Sequence, residues 1–137
     1  MADSRLGVPW ADFPSAVPPA GTAEFQASEA LNRCLVLAHT SLESLAVDAI
    51  VNPTDTALTH EESALSRRIA ASAGEELARE SASLGKLVLG QAVLTQGHRL
   101  PARAILHTAL PRYNAQYRAA CAAALSESLG SCLRLLD

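Results

Sequence analysis

The sequence predicts an α/β domain, a mixed sheet flanked by helices. Three observations carry that prediction. Short apolar runs of strand length, such as "CLVLAHT" and "AILHTAL", break off at proline or polar residues. Other stretches repeat apolar residues at helical spacing. The two kinds of segment alternate in the order β, β, α, α, β, β, α, which suits a sheet with helices on its faces.

Residues 1–30 hold Gly7, Pro9, Pro14, Pro18, Pro19 and Gly21 without periodicity. They read as a disordered lead, in which Trp10 and Phe13 could dock on the body of the domain. The folded part is expected over 31–137. Cys34 to Thr40 is the first expected strand. "DAIVN", residues 48–52, is short and largely apolar, as expected of a central strand covered on both faces, and Pro53 closes it.

Thr59 and Glu62 have capping-box spacing, so a helix is expected to begin at Thr59. Leu65, Ile69 and Ala73 form its apolar stripe, and Gly74 is the natural stop. "EELARESAS" continues as a second short helix ended by Leu84-Gly85. Leu89 to Gly97 and Ala104 to Leu110 read as antiparallel strands joined by the turn "RLPAR". Asn114 then caps a long last helix, with Tyr117, Cys121, Ala124, Leu125, Cys132 and Leu136 on its apolar face.

The 137 residues fit one domain, and 49% hydrophobic against 18% charged residues predicts a packed core. With 4% aromatic residues, that core must be Leu, Ala, Val and Ile. The net charge of −3 offers no overall attraction to nucleic acid, so such binding needs a local basic patch. Arg99, Arg103, Arg112 and Arg118 are the candidate run, able to meet RNA or poly(ADP-ribose) phosphates; the simpler reading is a solvated face. Three cysteines without C-x-x-C argue against a disulfide framework or zinc site. Cys121 and Cys132 would lie roughly 16 Å apart along a helix, too far to bridge. Free thiols, no secretory h-region and no apolar run near membrane-span length imply an intracellular chain, cytoplasmic or nuclear. His39 and His98 have no metal spacing, and "HEES" is not H-E-x-x-H. His107, inside an apolar strand, reads as a satisfied core histidine and His60 as a solvated loop residue. No metal or cofactor is expected.

"VDAIVNPTD", "AASAG", "GQAVLTQG" and "LPARAILHTALPRY", in that order, resemble the macro domain family over roughly residues 34–137. Within it, the polar loop "TDTALT" in place of a glycine run is similar to the ganglioside-induced differentiation-associated protein 2 group. The resemblance implies an ADP-ribose cleft at strand ends. It places Ser41 where the family has its adenine-contacting aspartate. Asn52 and Asp55 stand on the two asparagines of "NAAN", the second of which helps hold the distal ribose. His60, Glu61, Glu62 and Ser63 stand on the phosphate-cradling glycines. The ligand-binding candidates are therefore Ser41, Asn52, Asp55, His60 and Ser63.

A glycine loop works because bare backbone N–H groups approach phosphate. Two glutamates there add bulk and negative charge. The aspartate and histidine that assist hydrolysis in some members fall on Ser66 and Ala70, neither a base at neutral pH. No catalytic residue is expected. The family fold also implies further strands, a second phosphate loop and a last helix, so the fold is expected to be incomplete, shortened at its C-terminal side. A bare sheet edge is then expected beside "AIVN". The expectation is a divergent, non-catalytic module whose binding of ADP-ribose or a related nucleotide is weak or lost. The alternatives are an ADP-ribosyl hydrolase and a scaffold recruiting a protein partner at that edge.

Overall fold

The computed structural model describes residues 8–9 and 28–136. The expected disordered lead, with Trp10 and Phe13, lies almost wholly outside the described residues. The chain divides into two compact units, Met1–Thr40 and Ser41–Asp137.

In the first unit, β1 (Val8–Pro9) pairs antiparallel with β2 (Val36–Leu37), and α1 (Glu29–Cys34) lies between them in sequence. Ser28 caps α1, its Oγ accepting from the Leu31 amide at 3.4 Å. The strand expected from Cys34 is therefore corrected. Cys34 is the last residue of α1, and only Val36 and Leu37 are extended. The cap at Ser28 starts a helical turn inside a segment whose apolar run reads as a strand.

The second unit holds β3 (Ala49–Thr54), α2 (Ala64–Ala73), α3 (Glu75–Leu84), β4 (Ala92–Gln96), β5 (Ala104–Ala109) and α4 (Arg118–Arg134). The sheet order is β3-β5-β4, with β3 parallel and β4 antiparallel to β5. It is a mixed sheet flanked by helices, as the sequence predicts. Ile50, Asn52 and Thr54 stand beside Ile105, His107 and Ala109 on one face. On that face α2 and α3 bury Ile69, Ala73 and Leu77 against Ile50 and Ile105. Ile69 and Leu77 are fully buried, and each contributes roughly 1.5–3 kcal/mol of transfer free energy. On the opposite face α4 covers β5 and β4.

The expected helix start at Thr59 is also corrected. Ser63 is the cap, its Oγ accepting from the Ser66 amide at 3.0 Å, and α2 begins at Ala64. Thr59 is taken by Asp55, as described below. Gly74 ends α2 as expected, donating its N–H to the Ala70 carbonyl at 3.0 Å with φ of +91°. β4 begins at Ala92, because Gly90, at φ +86°, sits in a turn that brings the Gln91 amide onto the Val88 carbonyl. Asn114 caps a single 3₁₀ turn, Ala115–Tyr117, which leads into α4.

Two expectations about β3 change. Pro53 does not close the strand, which runs on to Thr54. Nor is β3 central: among the described residues it pairs only with β5, so the open edge expected beside "AIVN" is present. The ladder passes Pro53 in unbroken register with Thr108. Proline has no N–H, so its peptide group must face away from β5. By alternation, Ala49 and Val51 turn their N–H and C=O groups outward as well.

The apolar face expected for α4 is partly corrected. Ser128 and Cys132 are buried, while Tyr117, Leu125 and Leu136 are exposed. Leu125, Leu129, Leu133 and Leu136 form a stripe at spacings of three and four. It lies on a different flank from Ser131, whose hydroxyl donates to the Gly90 carbonyl at 2.8 Å beside β4. Nothing among the described residues buries that stripe.

Candidate functional site

The carboxyl ends of parallel β3 and β5 are where an open α/β sheet presents ligand-holding groups. Asn52 on β3 and His107 on β5 are neighbours there, both fully buried. Asn52 Nδ2 lies 3.1 Å from His107 Nδ1 and 3.4 Å from His60 Nδ1. An amide nitrogen only donates, so both Nδ1 atoms accept. Each imidazole therefore carries its proton on Nε2. His107 Nε2 donates to Thr95 Oγ1 at 2.8 Å and His60 Nε2 to Ser81 Oγ at 2.9 Å. Turning the Asn52 amide over would leave two buried donors unpaired instead of the single acceptor, Oδ1, that is unpaired now.

Burial, reinforced by the neighbouring His60, lowers the His107 pKa to about 3. Burial also holds His60 below its ordinary value, against the opposing pull of Asp55 and Glu61. His60 is thus not the solvated loop residue the sequence suggests. Its ring is buried at a positive φ of +63°, and the loop reaches that position through Leu58, also left-handed at +56°. Such non-glycine conformations cost about 1–2 kcal/mol each and persist only where surroundings hold them. Here the bonds of His60 and the burial of Leu58 against Leu87 and Ala109 do so.

The loop between β3 and α2 satisfies four of its own amide donors, those of Ala57, Leu58, Thr59 and Glu61. The Asp55 carboxylate accepts from the Ala57 amide at 2.7 Å, the Thr59 amide at 3.1 Å and the Thr59 hydroxyl at 2.5 Å. The Leu58 amide donates to the Asp55 carbonyl at 3.2 Å, and the Glu61 amide to Thr59 Oγ1 at 3.4 Å. Partial burial raises the Asp55 pKa, but the bonds from Thr59 and Ala57 outweigh it and hold the carboxyl below its ordinary value.

The structure brings Asn52 and His60 into contact, with Asp55 and Ser63 at the two ends of the same loop. Ser41 stands apart from them, its Oγ accepting from Arg68 at 3.0 Å. Ser66 is buried with its Oγ 3.4 Å from His60 Nδ1, and Ala70 is half-buried on α2.

A cavity of about 440 Å³ opens at the strand ends, lined by Thr54 and Asp55 at the end of β3, Ala109 and Arg112 at and beyond the end of β5, with Glu62 and Leu89. The Thr54 hydroxyl is buried without a partner. Arg112 reaches across to Glu62, its Nε 3.2 Å and its terminal nitrogen 2.9 Å from the same carboxylate oxygen. Sequence reasoning missed Thr54, Ser81, Thr95 and this Arg112–Glu62 pair. Leu110-Pro111 carries a signal for one of them, since a proline after an apolar run marks the strand end that Arg112 borders. A larger cavity of about 540 Å³ lies between Gly74 and Arg99, and one of about 330 Å³ is lined mainly by apolar residues beside Arg118. Arg103 pairs with Asp48. The four arginines therefore serve different places.

A family model described as "Macro domain" matches residues 51–137. A Protein GDAP2 homolog from Nematostella vectensis is 38% identical over 113 residues, 82% of this chain and 22% of that protein. Ganglioside-induced differentiation-associated protein 2 from Danio rerio is 38% identical over 104 residues, 76% of this chain and 20% of that protein. The chain thus spans about a fifth of the length of these curated relatives. The crystal structure of the GDAP2 macro domain superposes with a TM-score of 0.80 at 30% identity, covering 96% of this chain and 61% of that one. A Trypanosoma brucei macrodomain in complex with ADP gives 0.60 at 32% identity, covering 69% and 38%.

Proposed function

The chain belongs to the macro domain family, and on that basis we propose that it is a non-catalytic module with weak affinity for ADP-ribose or a related nucleotide diphosphate. The Trypanosoma brucei macrodomain was solved with ADP bound. The cavity at the ends of β3 and β5 is the part of this chain suited to the same class of ligand. One observation carries the loss of strength. The loop amides of Ala57, Leu58, Thr59 and Glu61 already donate to Asp55 and Thr59, so none of these four is free for a diphosphate. Ser66, buried against His60, and Ala70 supply no group that could activate water, which supports the non-catalytic reading.

Calorimetry with ADP-ribose tests it. The expected dissociation constant is about 1 mM or weaker, corresponding to about −4 kcal/mol. Micromolar binding would overturn the weakness. No binding at all would leave a scaffold that recruits protein through the open β3 edge. Release of ADP-ribose from a modified protein by the purified chain would overturn the non-catalytic assignment. The three free cysteines fit a reducing intracellular setting for this activity.

A further inference from the structure

We infer that Glu62 is an internal stand-in for ligand phosphate on Arg112, and that this contact sets the low affinity of the cavity. The inference rests on the nucleotide-binding reading and adds the residue that restrains it. Both side chains line the strand-end cavity, Glu62 from the segment before α2 and Arg112 from the segment after β5. The guanidinium directs Nε and one terminal nitrogen at a single Glu62 oxygen, 3.2 and 2.9 Å away. A guanidinium edge presents the same two donors to a phosphate oxygen pair. Apart from Glu62, no side chain among the described residues accepts a bond from that guanidinium.

A second observation points to a ligand at the same place. Thr54, the last residue of β3, lines the cavity with its side-chain oxygen buried and unpartnered. A buried hydroxyl left unsatisfied costs free energy that an entering oxyanion could recover. With Glu62 in place, an entering anion must both displace a carboxylate from Arg112 and tolerate its charge nearby. Removing the charge at Glu62 removes both obstacles.

The experiment compares the wild-type chain with Glu62→Gln, Arg112→Gln and the double variant, titrated calorimetrically with inorganic pyrophosphate and, separately, with ADP-ribose. Thermal melts confirm that each variant folds. Glu62→Gln is expected to bind pyrophosphate about fivefold more tightly than wild type, the scale of an exposed ion pair. That gain should vanish in the double variant. A folded Glu62→Gln chain with no gain overturns the inference, as does a gain that persists without Arg112. If Glu62→Gln gains pyrophosphate binding while neither chain takes ADP-ribose, the inference stands and the ADP-ribose reading fails. If both chains bind ADP-ribose weakly and equally, the reading stands and the inference fails.

Discussion

Asn52 Nδ2 lies 3.1 Å from His107 Nδ1 across 55 positions of sequence, and this contact ties the buried faces of β3 and β5 together. The same amide holds His60, so one asparagine fixes the tautomers of two rings. Asn52→Ala is expected to cost about 2–4 kcal/mol, because it strands the buried His107 Nδ1, leaves His60 Nδ1 only the Ser66 hydroxyl, and opens a small cavity. Urea unfolding measures it. A loss below about 0.5 kcal/mol would mean that the two rings find other donors.

Acid should weaken the fold through the same pair. Both histidines have folded pKa values below the unfolded value of about 6.5. A depressed histidine is neutral in the fold but binds a proton when unfolded. The stability is therefore fully present above about pH 6.5 and is lost as the pH falls. For His107 the loss continues down to about pH 3, at about 1.4 kcal/mol per pH unit. Denaturation midpoints at pH 7.5 and 5 check this, and His107→Asn should flatten the slope. Equal midpoints in the native sequence would exclude neutral buried rings.

Gly97→Ala is expected to abolish or severely weaken folding. A Cβ at Gly97 would stand 1.8 Å from the Ala102 carbonyl oxygen, which is backbone and cannot swing aside. The close approach exists because the Gly97 amide donates to the Arg103 carbonyl at 2.9 Å, closing the β4–β5 hairpin. Gly85→Ala is the comparison. It meets open space at φ +77°, so it should cost only about 1 kcal/mol. Melting temperatures that rank the two variants the other way would contradict this geometry.

The thiols should separate by reactivity. Cys132 is buried, and burial raises its pKa, whereas Cys34 is exposed. Iodoacetamide near pH 7.5 is expected to label Cys34 first and Cys132 only in denaturant, with mass spectrometry reading the order. Early labelling of Cys132 would mean that α4 leaves the sheet readily.

The sheet was legible because its punctuation is local. Gly97 and Pro101 mark the β4–β5 turn, and Gly74 marks the end of α2. Thr59 misled because its capping signal is real chemistry directed elsewhere: the Asp55 carboxylate, four residues earlier, takes both its amide and its hydroxyl. The apolar face of α4 misled because helical periodicity counts leucines without knowing what covers them. The buried rings were half legible. His107 sits in an apolar run, but His60 reaches the core only through two left-handed residues in a polar loop, which no periodicity announces.

Pro53 has a consequence for how this chain meets other chains. Its outward peptide leaves the β3 rim with three carbonyl acceptors, at Ala49, Val51 and Pro53, but only two N–H donors. A stack of identical chains growing along that rim needs every rung filled, and Pro53 removes one from each repeat. The rim therefore resists the endless repetition of identical strands that builds a fibre.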